Sequence, residues 1–480
     1  MTPDDFARQL AGLPVCVAGL GVSGPPAARA LAARGALVSA VDSRDDAQRR
    51  AVAAELAAEG ITVLLGDDTA GPSAAPPAGT ALVVTSPGWR PGTPLLAAAA
   101  AAGIPVIGDV ELAWRLRPVL PDGSAQQWLA VTGTNGKTTT VRMLAAMLAA
   151  AGIRSAAAGN VGTSVVAAVT DPQPYPVLAV ELSSFQLHWS STVRPLAAVV
   201  LNVAAHHLDW HGDIESYAAD KARIYAAGTI AVYNADDERT VQMARSAPDA
   251  ARLVAFRLGA PGPGELGMAG GMLLDRAFSA WPAGEPLVPV ADVSPQAPHN
   301  LANALAAAAL ARACGASAAA VRAGLAAYRP DPHRISLVGT VGGVDYVDDS
   351  KASNPHAAAA SLSAYRSIVW VVGGLFRGAG PDLDHLVRGA APRLRGVVLL
   401  GADRDRIREA LSRHAPDVPV AEPGGTETDV MDLVVGEAAR LAEPGDTVLL
   451  APAAQSFDMF ADYAARGDAF AAAVGRLARR

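Results

Sequence analysis

The heptapeptide GTNGKTT at 133–139 follows the apolar run WLAVT and precedes the helical run VRMLAAMLAA. Strand, glycine-rich turn and helix in that order commit this stretch to one βα unit of a parallel sheet. Gly133 and Gly136 let backbone N–H groups turn inward on phosphate oxygens, and the helix amino end adds positive potential. Lys137 is suited to β- and γ-phosphates and Thr138 to Mg²⁺. The spacing departs from GxxxxGK[ST], because counting back from Gly136 puts Val131 where the first glycine would stand. A fortuitous glycine-rich turn is the competing reading.

Short β-branched runs alternate with Ala/Leu/Arg-rich stretches three separate times, which predicts an α/β fold of three domains. The boundaries expected are 1–117, 118–329 and 330–480. The Pro/Gly/Ser stretch PVLPDGSAQQ at 118–127 is read as a linker, and YRPDPHR at 328–334 marks the second exit. Strands are expected near Val15–Leu20, Leu37–Val41, Ile61–Leu65 and Leu82–Thr85, then Trp128–Val131, Val177–Val180, Ala198–Leu201 and Thr229–Val232. The last set lies near Val344–Val347, Ile368–Val372, Val397–Leu400 and Thr447–Leu450. The Gly- and Pro-rich stretch 255–295 yields no element from its pattern. Alanine runs at 97–103 and 306–310 fall where helices are expected.

A chain of 480 residues, 51% hydrophobic and 18% charged, can bury sizeable cores. Its net charge of −7 and the lack of a dense Lys/Arg run speak against nucleic acid as a partner. MTPDDFARQL starts acidic, without the order of a secretory signal, and the alanine runs are broken before they could span a bilayer, so a cytoplasmic protein without a membrane partner is expected. Cys16 and Cys314 both read as small core residues.

Other segments carry chemistry. Gly19-Leu-Gly21-Val-Ser-Gly24, with Asp42 at the end of the next strand, fits a pyrophosphate and a ribose hydroxyl. Alone it suggests NAD(P), but UDP has the same pyrophosphate–ribose shape, so the motif leaves both open. Glu181 and His207 fall past strand ends in the middle region and, with Thr138, would make a hard-cation site completed by phosphate and water. Lys221, read from the residues alone, is a solvated helix charge. The polar loop DDSKASNP at 348–355, His299/Asn300/Asn303, His333/Arg334 and Ser456 are individually uninformative. A nicotinamide-dependent dehydrogenase would leave GTNGKTT without purpose, and a transport ATPase would leave the first glycine motif unexplained.

Taken together the residues resemble the Mur ligase family along nearly the whole chain. GTNGKTT, GNVG (159–162), ELSSFQL (181–187), NVAAHHLD (202–209), DKARIY (220–225), PHNLANALAA (298–307), PHR (332–334), DDSKASN (348–354) and LAPAAQSFDMF (450–460) appear in family order. VDSR, SPG at 86–88 and GDVEL at 108–112 resemble best the branch that adds D-glutamate.

The resemblance implies a Rossmann-like UDP-binding domain, a central P-loop ATPase domain and a carboxyl-terminal Rossmann-like domain that closes over the site. It implies ATP, the substrates UDP-N-acetylmuramoyl-L-alanine and D-glutamate, two Mg²⁺ ions and a monomer. ATP would be held by Gly133, Thr134, Asn135, Gly136, Lys137, Thr138 and Thr139, with Asn300, Asn303, Arg334 and Asp349. The UDP substrate would be lined by Val22, Ser23, Asp42, Ser43, Ser86, Pro87 and Gly88, with Asn160, Gln186 and His207 nearer its sugar and lactoyl-peptide portion. Thr138, Glu181, His207 and a carbamoylated Lys221 would surround the metal. Lys137, Lys221, His207 and Lys351 are the implied catalytic groups, and Ser353, Arg377, Ser456 and Phe457 the implied amino-acid contacts. Two residues depart from the family pattern: its Lys in the GG-x-x-K loop is Arg377 here, and the Thr of DSKATN is Ser353.

Overall fold

A computed structural model describes residues 3–66, 71, 74–247, 249–376, 383–424 and 430–479. Arg377 lies outside the described residues. The chain forms two compact units: one of residues 1–289 and 303–328, the other of 290–302 and 329–480. The helix Pro298–Ala313 therefore contributes residues to both.

The first unit holds two sheets. The amino-terminal one is parallel and five-stranded, in the order Thr62–Leu65, Leu37–Asp42, Pro14–Ala18, Leu82–Thr85, Val106–Gly108. Its central strand is buried from Val15 to Ala18, as expected when crossover helices cover both faces. The second sheet has nine strands, in the order Glu285–Pro289, Met272–Asp275, Glu265–Ala269, Arg252–Phe256, Ile230–Asn234, Ala197–Val200, Gln127–Thr132, Val177–Glu181, Ser155–Gly159. Its phosphate-loop strand, Gln127–Thr132, pairs in parallel with Val177–Glu181 on one side and Ala197–Val200 on the other. The ends of both flanking strands are thereby brought beside the loop. Small residues set the packing behind it: a Cβ on Gly324 would lie 2.4 Å from Met147 Cα, so the helices Lys137–Ala150 and Ala318–Ala327 meet backbone to backbone.

The stretch 255–295, which gave no element from its pattern, extends this sheet. Glu265–Ala269, Met272–Asp275 and Glu285–Pro289 form an antiparallel meander on the edge of a parallel sheet. Asp275, 0% exposed, is paired with Arg312 at 2.8 Å. The expected linker 118–127 forms a tight turn, with Val119 bridged to Ala125. Strand positions elsewhere agree with expectation to within a few residues, and Val106–Gly108, Ser155–Gly159, Arg252–Phe256, Ser336–Val341 and Val420–Ala421 are additions.

The second unit is a six-stranded sheet in the order Ser336–Val341, Val344–Asp348, Thr447–Leu450, Ile368–Gly373, Leu394–Leu400, Val420–Ala421. Only Ser336–Val341 runs antiparallel. Strands Val344–Asp348 and Thr447–Leu450 lie side by side although about a hundred residues separate them, so the loops 349–354 and 451–457 emerge together. Among the described residues no helix is long and apolar enough to cross a membrane.

Candidate active site

The phosphate loop closes around backbone. Gly136 takes φ +85° at the cap of the helix Lys137–Ala150, and a Cβ there would fall 2.3 Å from Asn303 Oδ1. Gly133, at φ +151°, has Leu201 Cβ 3.0 Å from its own missing Cβ. Asn135 N–H donates to Asn202 Oδ1 at 2.9 Å, and Asn202 Nδ2 returns a bond to the Asn135 carbonyl at 3.1 Å. Thr134 Oγ1 accepts from Ala204 N at 3.0 Å and lies 3.2 Å from the Tyr217 hydroxyl. The loop is thus tied to the segment 202–204 and to Tyr217. Lys137 Nζ folds over it, donating to the Gly133 and Thr134 carbonyls at 3.0 Å each. Thr139 is buried in the first helical turn.

Thr138 Oγ1 donates to Glu181 Oε2 at 2.8 Å, and Asn160 Nδ2 donates to the other oxygen, Oε1, at 2.9 Å. Glu181 is the last residue of its strand, and Gly159 must lack a side chain because a Cβ would sit 2.2 Å from the Glu181 carbonyl oxygen. Lys221, taken from the residues alone as a solvated charge, is 1% exposed. Its Nζ donates to the Gly133 carbonyl at 3.0 Å and lies 4.6 Å from the centre of the Tyr217 ring. Burial and the neighbouring Lys137 cation hold its pKa well below the ordinary lysine range, Glu181 and Asp220 opposing them. The helix Ile214–Ala222 turns this side chain inward, which the sequence spacing did not signal.

His207 caps the short helix Leu208–His211 in left-handed conformation, φ 55°, with the Phe185 ring 4.9 Å away. Burial, Lys137 and Lys221 lower its pKa to about 4 against the pull of Asp209. His206, not singled out from sequence, is depressed to about 3 by burial, His207 and the same two lysines. Both imidazoles are therefore neutral at physiological pH and able to act as acceptors or ligands. Among the described residues no three His, Cys, Asp or Glu side chains converge as a ready-made metal site. Thr138 and Glu181 supply hard oxygen donors, which suit Mg²⁺ once phosphate, water or a further carboxylate-like group joins them.

In the first sheet, Gly19 takes φ +100°, and a Cβ on Gly24 would lie 1.8 Å from the Gly19 carbonyl oxygen. Ser86 Oγ donates to that carbonyl at 3.1 Å and receives Ser23 Oγ at 3.4 Å, so the glycine loop and the SPG loop form one surface. Val22 is 86% exposed at its tip, and Ser43, Pro87 and Gly88 lie near the same strand ends. Asp42 differs from the ribose-binding expectation in one respect: its carboxylate is already engaged. It accepts from Leu20 N at 2.7 Å, Arg44 N at 2.9 Å and Arg49 Nε at 3.1 Å, which fixes the loop from below.

Two carboxylates of GDVEL join the first sheet's last helix to the second sheet. Glu111 accepts from Ser191 N at 2.8 Å, Thr192 N at 2.9 Å and Thr192 Oγ1 at 2.6 Å. Asp109 Oδ2 lies 3.5 Å from Gln186 Nε2, while its Oδ1 is buried without a hydrogen-bond partner. Gln186 also closes a capping box with Ser183. Neither acid was singled out individually from sequence, since each is a lone carboxylate in a helical stretch.

The second unit assembles its own polar cluster. Asp349 is buried and accepts from Ile335 N at 3.3 Å and from Ser361 Oγ; burial pushes its pKa up to about 6. Arg334 Nε lies 3.8 Å from Asp331. Asn300 Nδ2 donates to the Pro295 carbonyl at 2.8 Å. Lys351 Nζ sits 3.6 Å from the centre of the Tyr463 ring, a residue missed in the sequence reading. Ser353 N donates to the Lys351 carbonyl at 2.8 Å. Ser456 is buried at the end of 451–456, and Phe457 is 58% exposed beside it.

Three family profiles match the chain: "Mur ligase MurD-like, N-terminal domain" over residues 14–108, "Mur ligase middle domain" over 131–311 and "Mur ligase, glutamate ligase domain" over 333–454. The UDP-N-acetylmuramoylalanine--D-glutamate ligase of Thermobifida fusca is 60% identical over 98% of this chain and 100% of its own length. The protein of the same name from Streptomyces coelicolor is 58% identical over 99% of each chain. Among solved structures, UDP-N-acetylmuramate-alanine ligase MurC from Thermotoga maritima shares the fold, with a TM-score of 0.56 at 19% identity over 97% of this chain and 99% of that one. On the phosphate loop, the strand-end carboxylate and these full-length likenesses, the chain belongs to the Mur ligase family.

Proposed function

We propose that this chain is an ATP-dependent amide ligase that joins D-glutamate to UDP-N-acetylmuramoyl-L-alanine in cytoplasmic peptidoglycan-precursor synthesis. The observation that carries the reading is the 60% identity to a D-glutamate ligase across that relative's whole length. The L-alanyl carboxylate takes the γ-phosphoryl group of ATP, the amine of D-glutamate attacks the acyl-phosphate, and phosphate leaves from the tetrahedral intermediate. Lys137 and the loop amides stabilise charge on the transferring phosphoryl group. Gly133 to Thr139, Asn303, Asn300, Arg334 and Asp349 are assigned to the nucleotide.

The joined surface of the GLGVSG and SPG loops, from Val22 and Ser23 to Ser43 and Ser86–Gly88, is assigned to UDP, with Asn160, Gln186 and His207 toward the muramoyl-alanine end. Lys351, Ser353, Arg377, Ser456 and Phe457 are assigned to D-glutamate, and Tyr463 joins them through its contact with Lys351. Thr138, Glu181 and His207 are assigned to Mg²⁺, which when bound neutralises the phosphate charge. Burial and Lys137 favour loss of the Lys221 proton, and the neutral amine is the form nucleophilic toward CO₂, so Lys221 is assigned as a carbamate, whose oxygens would complete the donor set. The protein is assigned as a monomer.

Phosphate release with ATP and UDP-N-acetylmuramoyl-L-alanine, read against a panel of amino acids, tests the reading. Release dependent on D-glutamate is expected. Release with another amino acid alone, or with none, would reject it.

A further inference from the structure

Arg466 is 1% exposed, and among the described residues its guanidinium meets no carboxylate at hydrogen-bonding distance. Its partners are two loops. Nε donates to Ser350 Oγ at 2.9 Å and Nη2 to the Ser350 carbonyl at 2.8 Å, while Nη1 donates to the Ala454 carbonyl at 3.1 Å. Ser350 Oγ then donates to the Tyr463 carbonyl at 2.7 Å, closing a ring back onto the helix Tyr463–Leu477 that carries Arg466. Burial lowers the guanidinium's pKa to about 10 against the opposing pull of Asp458 and Asp348, so it remains a cation at neutral pH.

A buried cation whose hydrogen bonds go to two carbonyls and a hydroxyl, with Asp458 and Asp348 acting on it only through their charge, is a costly way to hold a core together. The fork does something an apolar residue cannot: it fixes two loops at once. Ser350 directly precedes Lys351, and Ala454 lies two residues before Ser456. Between them Ala453 takes φ +58°, a strained setting for alanine, and donates to the Ala352 carbonyl at 2.9 Å. The helix start is equally constrained, because a Cβ on Gly467 would lie 2.1 Å from His333 Nδ1.

We propose that Arg466 is a positioning residue for the amino-acid substrate, locking the Lys351 loop to the Ser456 loop in the spacing that grips it. The proposal rests on the assignment of those loops to the amino acid made above.

The test measures steady-state KM for each of the three substrates, and thermal unfolding, in the full-length wild type, Arg466→Lys and Ser350→Ala. Lysine keeps the charge but loses the fork, so the KM of D-glutamate should rise about tenfold or more, with those of ATP and the UDP substrate within about twofold. Ser350→Ala removes one arm and should give a smaller shift with the same selectivity. Unchanged KM values with a lowered unfolding temperature, or equal shifts in all three, would overturn the proposal. Should Arg466→Lys not fold, an unaltered D-glutamate KM in Ser350→Ala overturns it alone. A wild type that uses a different amino acid rejects the D-glutamate reading instead, and the same split is then read on that amino acid.

Discussion

The amine of Lys221 donates to the carbonyl of Gly133 at 3.0 Å, inside the turn assigned to phosphate, while both Glu181 oxygens are occupied by Thr138 and Asn160. A 1%-exposed ammonium beside Lys137 is unfavourable, and the neutral amine is the form that adds CO₂. Protein grown with labelled bicarbonate should carry one carbamate carbon, visible by ¹³C NMR and lost in Lys221→Ala. Activity of that variant should be partly restored by short carboxylic acids. An unlabelled amine in active enzyme would refute the modification.

Lys137→Ala should abolish ATP-dependent product formation while leaving the thermal transition nearly unchanged. Its ammonium donates to two loop carbonyls, Gly133 and Thr134, and the Gly133 carbonyl keeps a second donor, Lys221 Nζ at 3.0 Å, in its absence. Near-normal turnover in the variant would remove Lys137 from phosphoryl transfer.

Glu181→Gln keeps the size of the side chain but removes its charge. The bonds from Thr138 Oγ1 and Asn160 Nδ2 both need an acceptor, and an amide offers only one. The Mg²⁺ concentration for half-maximal activity should rise about tenfold or more, with the UDP-substrate KM little changed. An unaltered Mg²⁺ dependence would move the cation site elsewhere.

The parallel sheets were legible because buried strands such as Ala197–Val200 and Ile368–Gly373 are uninterrupted apolar runs bounded by turns. The meander at 265–289 was not, since Gly267, Gly270 and Gly271 break its pattern and its anchor, Asp275 with Arg312, is remote in sequence. Glu181 at its strand end and Thr138 after the glycine loop could be grouped from the sequence, and they do hydrogen-bond. Lys221 could not be placed, because nothing in YAADKARIYA tells which helix face is inward. Tyr463 and Arg466 escaped for a similar reason: their partners, Lys351 and Ser350, lie about a hundred residues upstream. Nothing in YAARGDAF, residues 463–470, tells which of its side chains meet those loops.

The last prediction concerns the two acids of GDVEL, buried two residues apart and shifted in opposite directions. Burial pushes the Asp109 carboxyl up to about 6, the bond from Gln186 only partly offsetting it. Burial would also raise Glu111, but donors from Thr192, Ser191 and Arg115 outweigh it and hold its pKa below the ordinary range. The linkage signs are therefore opposite. Asp109 binds its proton more tightly folded than unfolded, so its contribution is full below 3.8 and is lost as pH rises through about 6. Above that, its ionisation costs about 3 kcal/mol, which Asp109→Asn removes. Glu111 contributes above its unfolded pKa and loses that contribution as pH falls. Glu111→Ala strips acceptors from two backbone N–H groups on the exposed residues Ser191 and Thr192, at about 0.5–1.5 kcal/mol each. Thermal unfolding should show Asp109→Asn gaining on the wild type as pH rises from about 5 to 8, while the deficit of Glu111→Ala stays nearly constant over that range and shrinks only as pH falls below about 4.5. Parallel curves for wild type and Asp109→Asn would mean that Asp109 is ionised at ordinary carboxylate pH despite its burial.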